Sequence, residues 1–584
     1  MSTNTMASAQ SPAATHTEKK ATGSIWILAS WKDLLLFVGT PLLLLPLIPM
    51  TMKWSLITVE QFSIFALAFA STGHHLPGMI RAYGDRQLFQ RYRVRFIVAP
   101  IFLVTICMVS FSLEMQGLRL LFLLWGFWHA VMQVYGFARI YDAKVRMFDR
   151  VTARLDWLMC LAWFSAGIVF SPERVSLFFE EFFLAGGPQI GMGFISVLQN
   201  IWAGFLTIVT LAFVANMVWR VRHGAQISLA KILLFAISFG FWWFVMVTIE
   251  NVIMGVAIWE IFHDIQYLSI VWVFNRNRVD KDNRVGSFTQ FLFRRSWLMI
   301  GLYTGMVAAY GFFGFATKAR MFIDHETVTR LLLGVIAASG FLHFYFDGFI
   351  WKVRERSTRE SLGLKGGKPD GTGTGLVPVW VRHGMLWTIF IVPLGMLWTW
   401  PAAEKLDVYR HLTIAMPNVA QYHTKLGAAW QRSGDAVKAE MALRHAIKID
   451  ADSYEAHEIL GAALLVQNRV DDAIQSLAAA LRLKTRLPES HYRMGFALGQ
   501  RKDYDGAIAS YKRAIELEPD HALAHYAMGA AHAAKGDMAR AASSFRRVIK
   551  MDPVDTPNAK ADAETALEQV LQFQRSQKKN SPRP

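Results

Sequence analysis

The sequence predicts an all-α protein in two parts: a polytopic transmembrane helix bundle of about 11 spans, then a soluble α-solenoid. Three observations carry this reading. Residues 33 to about 402 are mostly long apolar runs, in a chain of 584 residues that is 53% hydrophobic and holds 20 Trp and 42 Phe. Residues 403–584 are Ala-rich, charged and soluble in character. Within that second part, a pattern of small and large residues returns every 34 positions. The expected organisation is a polar, disordered tail over 1–24, a membrane domain over 25–402, a repeat domain with a capping helix over 403–575, and a basic tail over 576–584.

At about 20 apolar residues per crossing, the spans fall near 33–52, 55–74, 94–113, 118–138, 153–171, 198–219, 228–249, 252–274, 295–316, 330–350 and 383–402. Residues 174–197, with Phe178, Phe179, Phe182 and Phe183 beside Glu180 and Glu181, predict an interfacial or re-entrant helix. Basic residues gather in alternate connections: Arg81, Arg86, Arg91, Arg93 and Arg95; Arg139, Lys144, Arg146, Arg150 and Arg154; Arg220 and Arg222; Arg276, Arg278, Lys281 and Arg284; Lys352, Arg354 and Arg356. The positive-inside bias then puts the N-terminus in the cytoplasm and the repeat domain outside it, in the periplasm of a bacterial inner membrane. The net charge of +17 is accounted for by this topology and needs no nucleic-acid partner. Cys107 and Cys160 lie within apolar runs, so no disulfide framework is expected. The first apolar run reads as a retained anchor rather than a cleaved signal.

Four spans carry histidine near the same end: His74 with His75, His129, His263 and His343. Counting helical rise to the next cytoplasmic charge puts them about 9–20 Å inside it, so all four sets can meet in the cytoplasmic half of the bundle. His129 and Gln133 are i and i+4, as are His343 and Asp347, while Glu260 and His263 are i and i+3. Each pair therefore shares a helix face. The expected ligands are His74, His75, His129, Glu260, His263, His343 and Asp347, with Gln133, Asp264 and Gln266 as partners orienting them. Imidazole with carboxylate suits iron, zinc or manganese. A structural polar core and a proton or ion pathway would use the same residue types. The glycine-rich stretch Gly363–Lys368 lacks phosphate-loop spacing and reads as a linker.

In the second part, a large residue followed by Gly recurs at Leu426-Gly427, Leu460-Gly461, Met494-Gly495 and Met528-Gly529. Ala439, Ala473, Ala507 and Ala541 follow each Gly by 12 residues, and Leu443, Leu477, Tyr511 and Phe545 come four later. This pattern resembles the tetratricopeptide repeat (TPR). The resemblance implies a superhelix of paired helices whose concave surface takes peptides or partner proteins, without catalysis. Tyr409, Leu412 and Pro417 predict a half-repeat before the array, and 557–575 a capping helix.

The membrane half is generally similar to integral-membrane oxygenases, hydroxylases and desaturases, whose helices bring several His to a non-haem iron centre. It departs from them in having no H-x-x-x-H and no H-x-x-H-H. The resemblance implies one or two non-haem iron ions, with zinc or haem as alternatives, and a membrane-bound oxidoreductase acting on a lipid-soluble substrate. Three other readings are a non-catalytic membrane scaffold recruiting envelope partners, a haem electron-transfer protein and a multi-span glycosyltransferase. The last expects an acidic pair in the first outer loop, where this chain has Met50-Thr51-Met52-Lys53.

Overall fold

A computed structural model describes residues 25–53, 58, 61–62, 65–66, 72–280, 285–318, 325–350, 379–399, 403–551 and 557–580. Among these there are helices and no strand. The expected tail over 1–24, most of the span at 55–74 and the glycine-rich linker lie outside the described residues. The chain divides into two units, one of residues 1–175 and 200–392, the other of 176–199 and 393–584. The second unit thus takes in a segment that the sequence placed wholly in the membrane domain.

Six helices of the described residues are long and apolar enough to cross a membrane: Arg93–Ser112, Gly117–Lys144, Phe194–Arg222, Leu229–Thr248, Trp297–Thr317 and Glu326–Gly348. A seventh results if Arg150–Val169 and Pro172–Leu184, bent by 88°, count as one span. These helices point to membrane insertion, but length and apolarity do not establish the expected 11. Two physical reasons are visible. The first segment is broken into Ser30–Asp33, the π-helical turn Leu34–Val38 and Thr40–Lys53. Helix Val252–Val279 is diluted by Glu260, His263, Asp264 and Gln266. On Phe194–Arg222, the side chains of Val197, Ile201, Ile208, Leu211 and Val218 are all exposed, an apolar stripe suited to lipid.

Inside the first unit, close helix approach and buried charge fix the frame. Helix Glu326–Ile350 lies along Arg93–Ser112, and a Cβ added at Gly334 would come 2.7 Å from the Met108 Cα. Only glycine permits that backbone contact. Elsewhere Lys231 is fully buried, its Nζ 2.9 Å from Asp142 and 3.2 Å from Asp156. Arg139 reaches the same two carboxylates at 2.7 and 2.8 Å. Two cations and two anions balance, as burial of charge demands.

The second unit is an array of antiparallel helix pairs: Ala420–Arg432 with Ala436–Ile449, Tyr454–Val466 with Val470–Leu483, Pro488–Gln500 with Tyr504–Leu517, and Ala522–Ala534 with Met538–Met551. Before the pairs stands the helix Lys405–Ala415, packed on Ala420–Arg432, and after them Pro557–Asn580, packed on Met538–Met551. The repeating glycines are seams. A Cβ at Gly427, Gly461, Gly495 or Gly529 would come within 2.5–2.7 Å of Leu443, Leu477, Tyr511 or Phe545. A second period of 34 went unnoticed in the sequence. His423, His457, His491 and His525 each bond through Nε2 to a carbonyl six residues upstream, of Pro417, Ala451, Thr485 and Pro519, at 2.8–3.1 Å. Burial lowers the pKa of His423 and His525, and because a carbonyl only accepts, it is Nε2–H that donates. The array also packs on residues of the 176–199 segment: Lys425 pairs with Glu180 at 2.8 Å, and the His411 and Phe183 rings lie 5.2 Å apart.

A third period sits in the turns joining paired helices, where Gly434, Asn468, Lys502 and Gly536 all take positive φ, between 59° and 87°. Lysine tolerates that region poorly. Lys502→Gly is therefore expected to stabilise the array by about 0.5–1 kcal/mol, read as a higher denaturation midpoint, whereas Gly536→Lys should lower it.

Candidate metal centre

Each histidine reaches the site from a different piece of backbone. His74 ends the turn before helix His75–Gly84, and His129 lies in Gly117–Lys144, His263 in Val252–Val279 and His343 in Glu326–Ile350. All five imidazoles, His75 included, are buried. Ring centroids are 4.6 Å apart for His129 and His343, 4.7 Å for His74 and His343, and 5.1 Å for His129 and His263. The convergence expected from loop charge and helical spacing is present.

Donor atoms face one another within this cluster. The Nε2 atoms of His129 and His343 are 3.2 Å apart. Two ligands at about 2.0–2.1 Å from one tetrahedral ion would stand about 3.3–3.4 Å apart. Three sets of side chains bring donor atoms within 4.8 Å of one another: His74, His129 and His263; His129, His343 and Asp347; His74, Glu260 and Asp264. Nδ1 of His263 and Nδ1 of His343 are buried with no hydrogen-bond partner among the described residues. Leaving such atoms unpaired is costly.

The carboxylates are held in different ways. Asp264 Oδ1 lies 2.9 Å from His74 Nδ1, and Asp347 Oδ2 lies 3.7 Å from His343 Nε2. Tyr267 Oη donates to Asp347 Oδ1 at 3.0 Å. Glu260 is half-buried at the edge of the third set. His75 joins none of these sets: its Nδ1 is 3.2 Å from Ser339 Oγ, which accepts from Tyr310 Oη, although its ring stacks 5.2 Å from His343. Two expected partners serve the frame instead of an imidazole. Gln133 Nε2 donates to the His263 carbonyl at 3.0 Å and to Gln266 at 3.3 Å, and Gln266 donates to the Phe37 carbonyl at 2.6 Å. Phe37 lies in the π-helical turn, where a carbonyl is freed for such a bond. Helical spacing put Gln133 under His129, but its amide bonds the neighbouring helix.

Tyr267, Ser339 and Tyr310 were missed in the sequence. A signal for Tyr267 existed: Glu260, His263, Asp264 and Tyr267 stand at i, i+3, i+4 and i+7, one continuous polar face on an otherwise apolar helix.

Comparison with known proteins bears on the other half. Models described as tetratricopeptide repeats match residues 418–488 and 522–555, and one described as a TPR repeat matches 497–536. Residues 418–555 are tetratricopeptide repeats. The TPR match covers the four helix pairs, and such repeats bind protein partners. Among solved structures, a crystal structure of MamA is 26% identical over 25% of this chain and 86% of its own, with a TM-score of 0.24. MamA from Desulfovibrio magneticus RS-1 is 19% identical over 29% and 92%, also at 0.24. The first TPR of Spaghetti (RPAP3), bound to an HSP90 peptide, is 19% identical over 22% and 96%, at 0.20. A search of curated proteins matched none.

One position outside the TPR array tests the packing of the cluster. A Cβ at Gly78 would meet Tyr267 Oη at 3.1 Å and His343 Nδ1 at 3.2 Å, whereas one at Gly136 would meet nothing within 4 Å. Gly78→Leu is expected to cost about 1–3 kcal/mol by overpacking, lowering the thermal midpoint of the detergent-solubilised chain. Gly136→Ala should leave it unchanged or raise it.

Proposed function

We propose that the membrane half is a metal-dependent oxidoreductase of the bacterial inner membrane, with non-haem iron at the histidine cluster and a lipid-soluble substrate. The observation that carries this is the facing pair of imidazole nitrogens, His129 and His343, 3.2 Å apart inside a cluster of five buried histidines. His74, His129, His263 and His343 hold the ion, with Glu260 and Asp347 as further ligands. Imidazole and carboxylate together suit iron. Bound iron would supply the activation of dioxygen.

The rest falls to the chain's own residues. Asp264 Oδ1, 2.9 Å from His74 Nδ1, fixes that ring within the cluster. Tyr267 holds Asp347 beside His343 and places a hydroxyl next to the reacting region, from which a proton can be lent. Phe344, packed 4.8 Å from His129, and Phe122, 5.8 Å from Phe344, give the cluster an apolar wall. That wall admits an acyl, isoprenoid or quinone group from the bilayer and excludes water.

A scaffold role stands beside this reading because of the TPR array, which recruits a protein partner on its own account. The packing of Lys425 and His411 on Glu180 and Phe183 supports a periplasmic array: loop charge puts residues 174–197 in an outer connection, and the array shares their unit. Metal analysis of the purified chain separates catalyst from scaffold. Iron is expected in the wild type and at least a tenfold loss of it in the His263→Ala/His343→Ala double variant. Wild-type protein without stoichiometric metal, or a double variant that retains both metal and activity, would sink the proposal.

A further inference from the structure

One recurring position of the array holds two cations that are satisfied in different ways. Lys425, Ile459, Arg493 and Ala527 stand 34 residues apart, each on the first helix of its pair. Arg493 finds its carboxylates within the array: Glu489, four residues back, at 2.9 Å, and Glu458, on the preceding first helix, at 3.2 Å. Lys425 lacks both. Four residues back is Gln421, and the helix before its own, Lys405–Ala415, has one carboxylate, Asp407, which pairs with Arg410 at 3.3 Å. Among the described residues the carboxylate paired with Lys425 is Glu180, whose two oxygens lie 2.8 and 3.1 Å away.

Glu180 belongs to a set. Helix Pro172–Leu184 meets the array through Ser176, Glu180 and Phe183, at i, i+4 and i+7, a single helix face. Ser176 Oγ lies 3.5 Å from Met416 Sδ, and the buried Phe183 ring lies 5.2 Å from that of His411. The Lys425 ammonium sits 5.7 and 5.6 Å from the ring centres of Tyr409 and Tyr422. Anchors at this spacing are how a groove reads an amphipathic helix. The apolar clusters around Leu443, Tyr511 and Phe545 contain no residue of 176–199, so those repeat cores do not depend on the helix. Water reaches its ion pair, with 20% of the Glu180 side chain and 32% of the Lys425 side chain exposed. A pair so exposed holds its partner loosely.

We propose that the start of the array is a recognition site for an acidic-aromatic helix, occupied in this chain by Pro172–Leu184, and that a protein partner engages it by replacing that helix. The partner carries a carboxylate to meet Lys425 and, three residues on, an aromatic ring to meet His411. The site shares no residue with the histidine cluster, so its failure leaves the metal-dependent reading untouched.

A fluorescent peptide of residues 172–186, added to the full-length chain in nanodiscs, tests the exchange. In the wild type the tethered helix competes at high effective concentration. The Glu180→Lys/Phe183→Ala chain, whose own helix has lost two anchors, is therefore expected to bind the peptide about tenfold more tightly. Adding Lys425→Glu to that variant should abolish the gain, and a peptide carrying Glu180→Lys should restore it. Equal binding to wild type and variant, binding to neither, or binding that ignores Lys425→Glu would overturn the proposal. For a variant that does not fold, hydrogen exchange is read in the unaltered chain, with the peptide made from heavy isotopes to separate its fragments. Saturating peptide should speed exchange in residues 176–184 about tenfold, and unchanged protection there would overturn the replacement.

Discussion

The cost of burying imidazole and carboxylate groups among apolar helices is the constraint on which the membrane half depends. Each such group must find a partner or lose several kcal/mol, and four separate backbone segments deliver theirs to one place. The helix carrying His343 can reach that place because Gly334 lets it lie against the 93–112 helix. The helix carrying His263 is steadied by the chain of bonds from Gln133 through Gln266 to the Phe37 carbonyl. The Lys231, Arg139, Asp142 and Asp156 network, in which two cations meet two anions, shows how the same fold pairs buried charge. Against it, the unpartnered ring nitrogens of His263 and His343 stand out.

The soluble half follows a different rule. Its seams are set by small residues facing large ones, Gly427 against Leu443 and Gly529 against Phe545, and its turns by a left-handed residue every 34 positions. The His-to-carbonyl bond at the start of each first helix repeats with the same period. Among its described residues no buried donor set like that of the cluster is found.

The sequence disclosed the TPR array almost entirely, because period and residue size together determine paired-helix packing. Convergence of the histidines was also legible, since loop charge gives depth and helical spacing gives face. What was not legible depends on the rotation of one helix against another. Gln133 lies under His129 in sequence, yet it bonds the neighbouring helix backbone. His75 turns to Ser339, a residue with no sequence signal of its own. The span count does not follow from apolarity in part because Glu260, His263, Asp264 and Gln266 dilute the helix that carries them. The packing of the 176–199 segment with the array depended on particular pairs, such as Glu180 with Lys425, that lie 245 residues apart.

The most direct test of the central claim is X-ray absorption at the metal edge of the purified, full-length protein. The account predicts iron with a first shell dominated by imidazole nitrogen and carboxylate oxygen at about 2.0–2.2 Å, together with the outer-shell scattering that imidazole rings produce. A first shell without imidazole, or no metal edge at stoichiometric intensity, would contradict it.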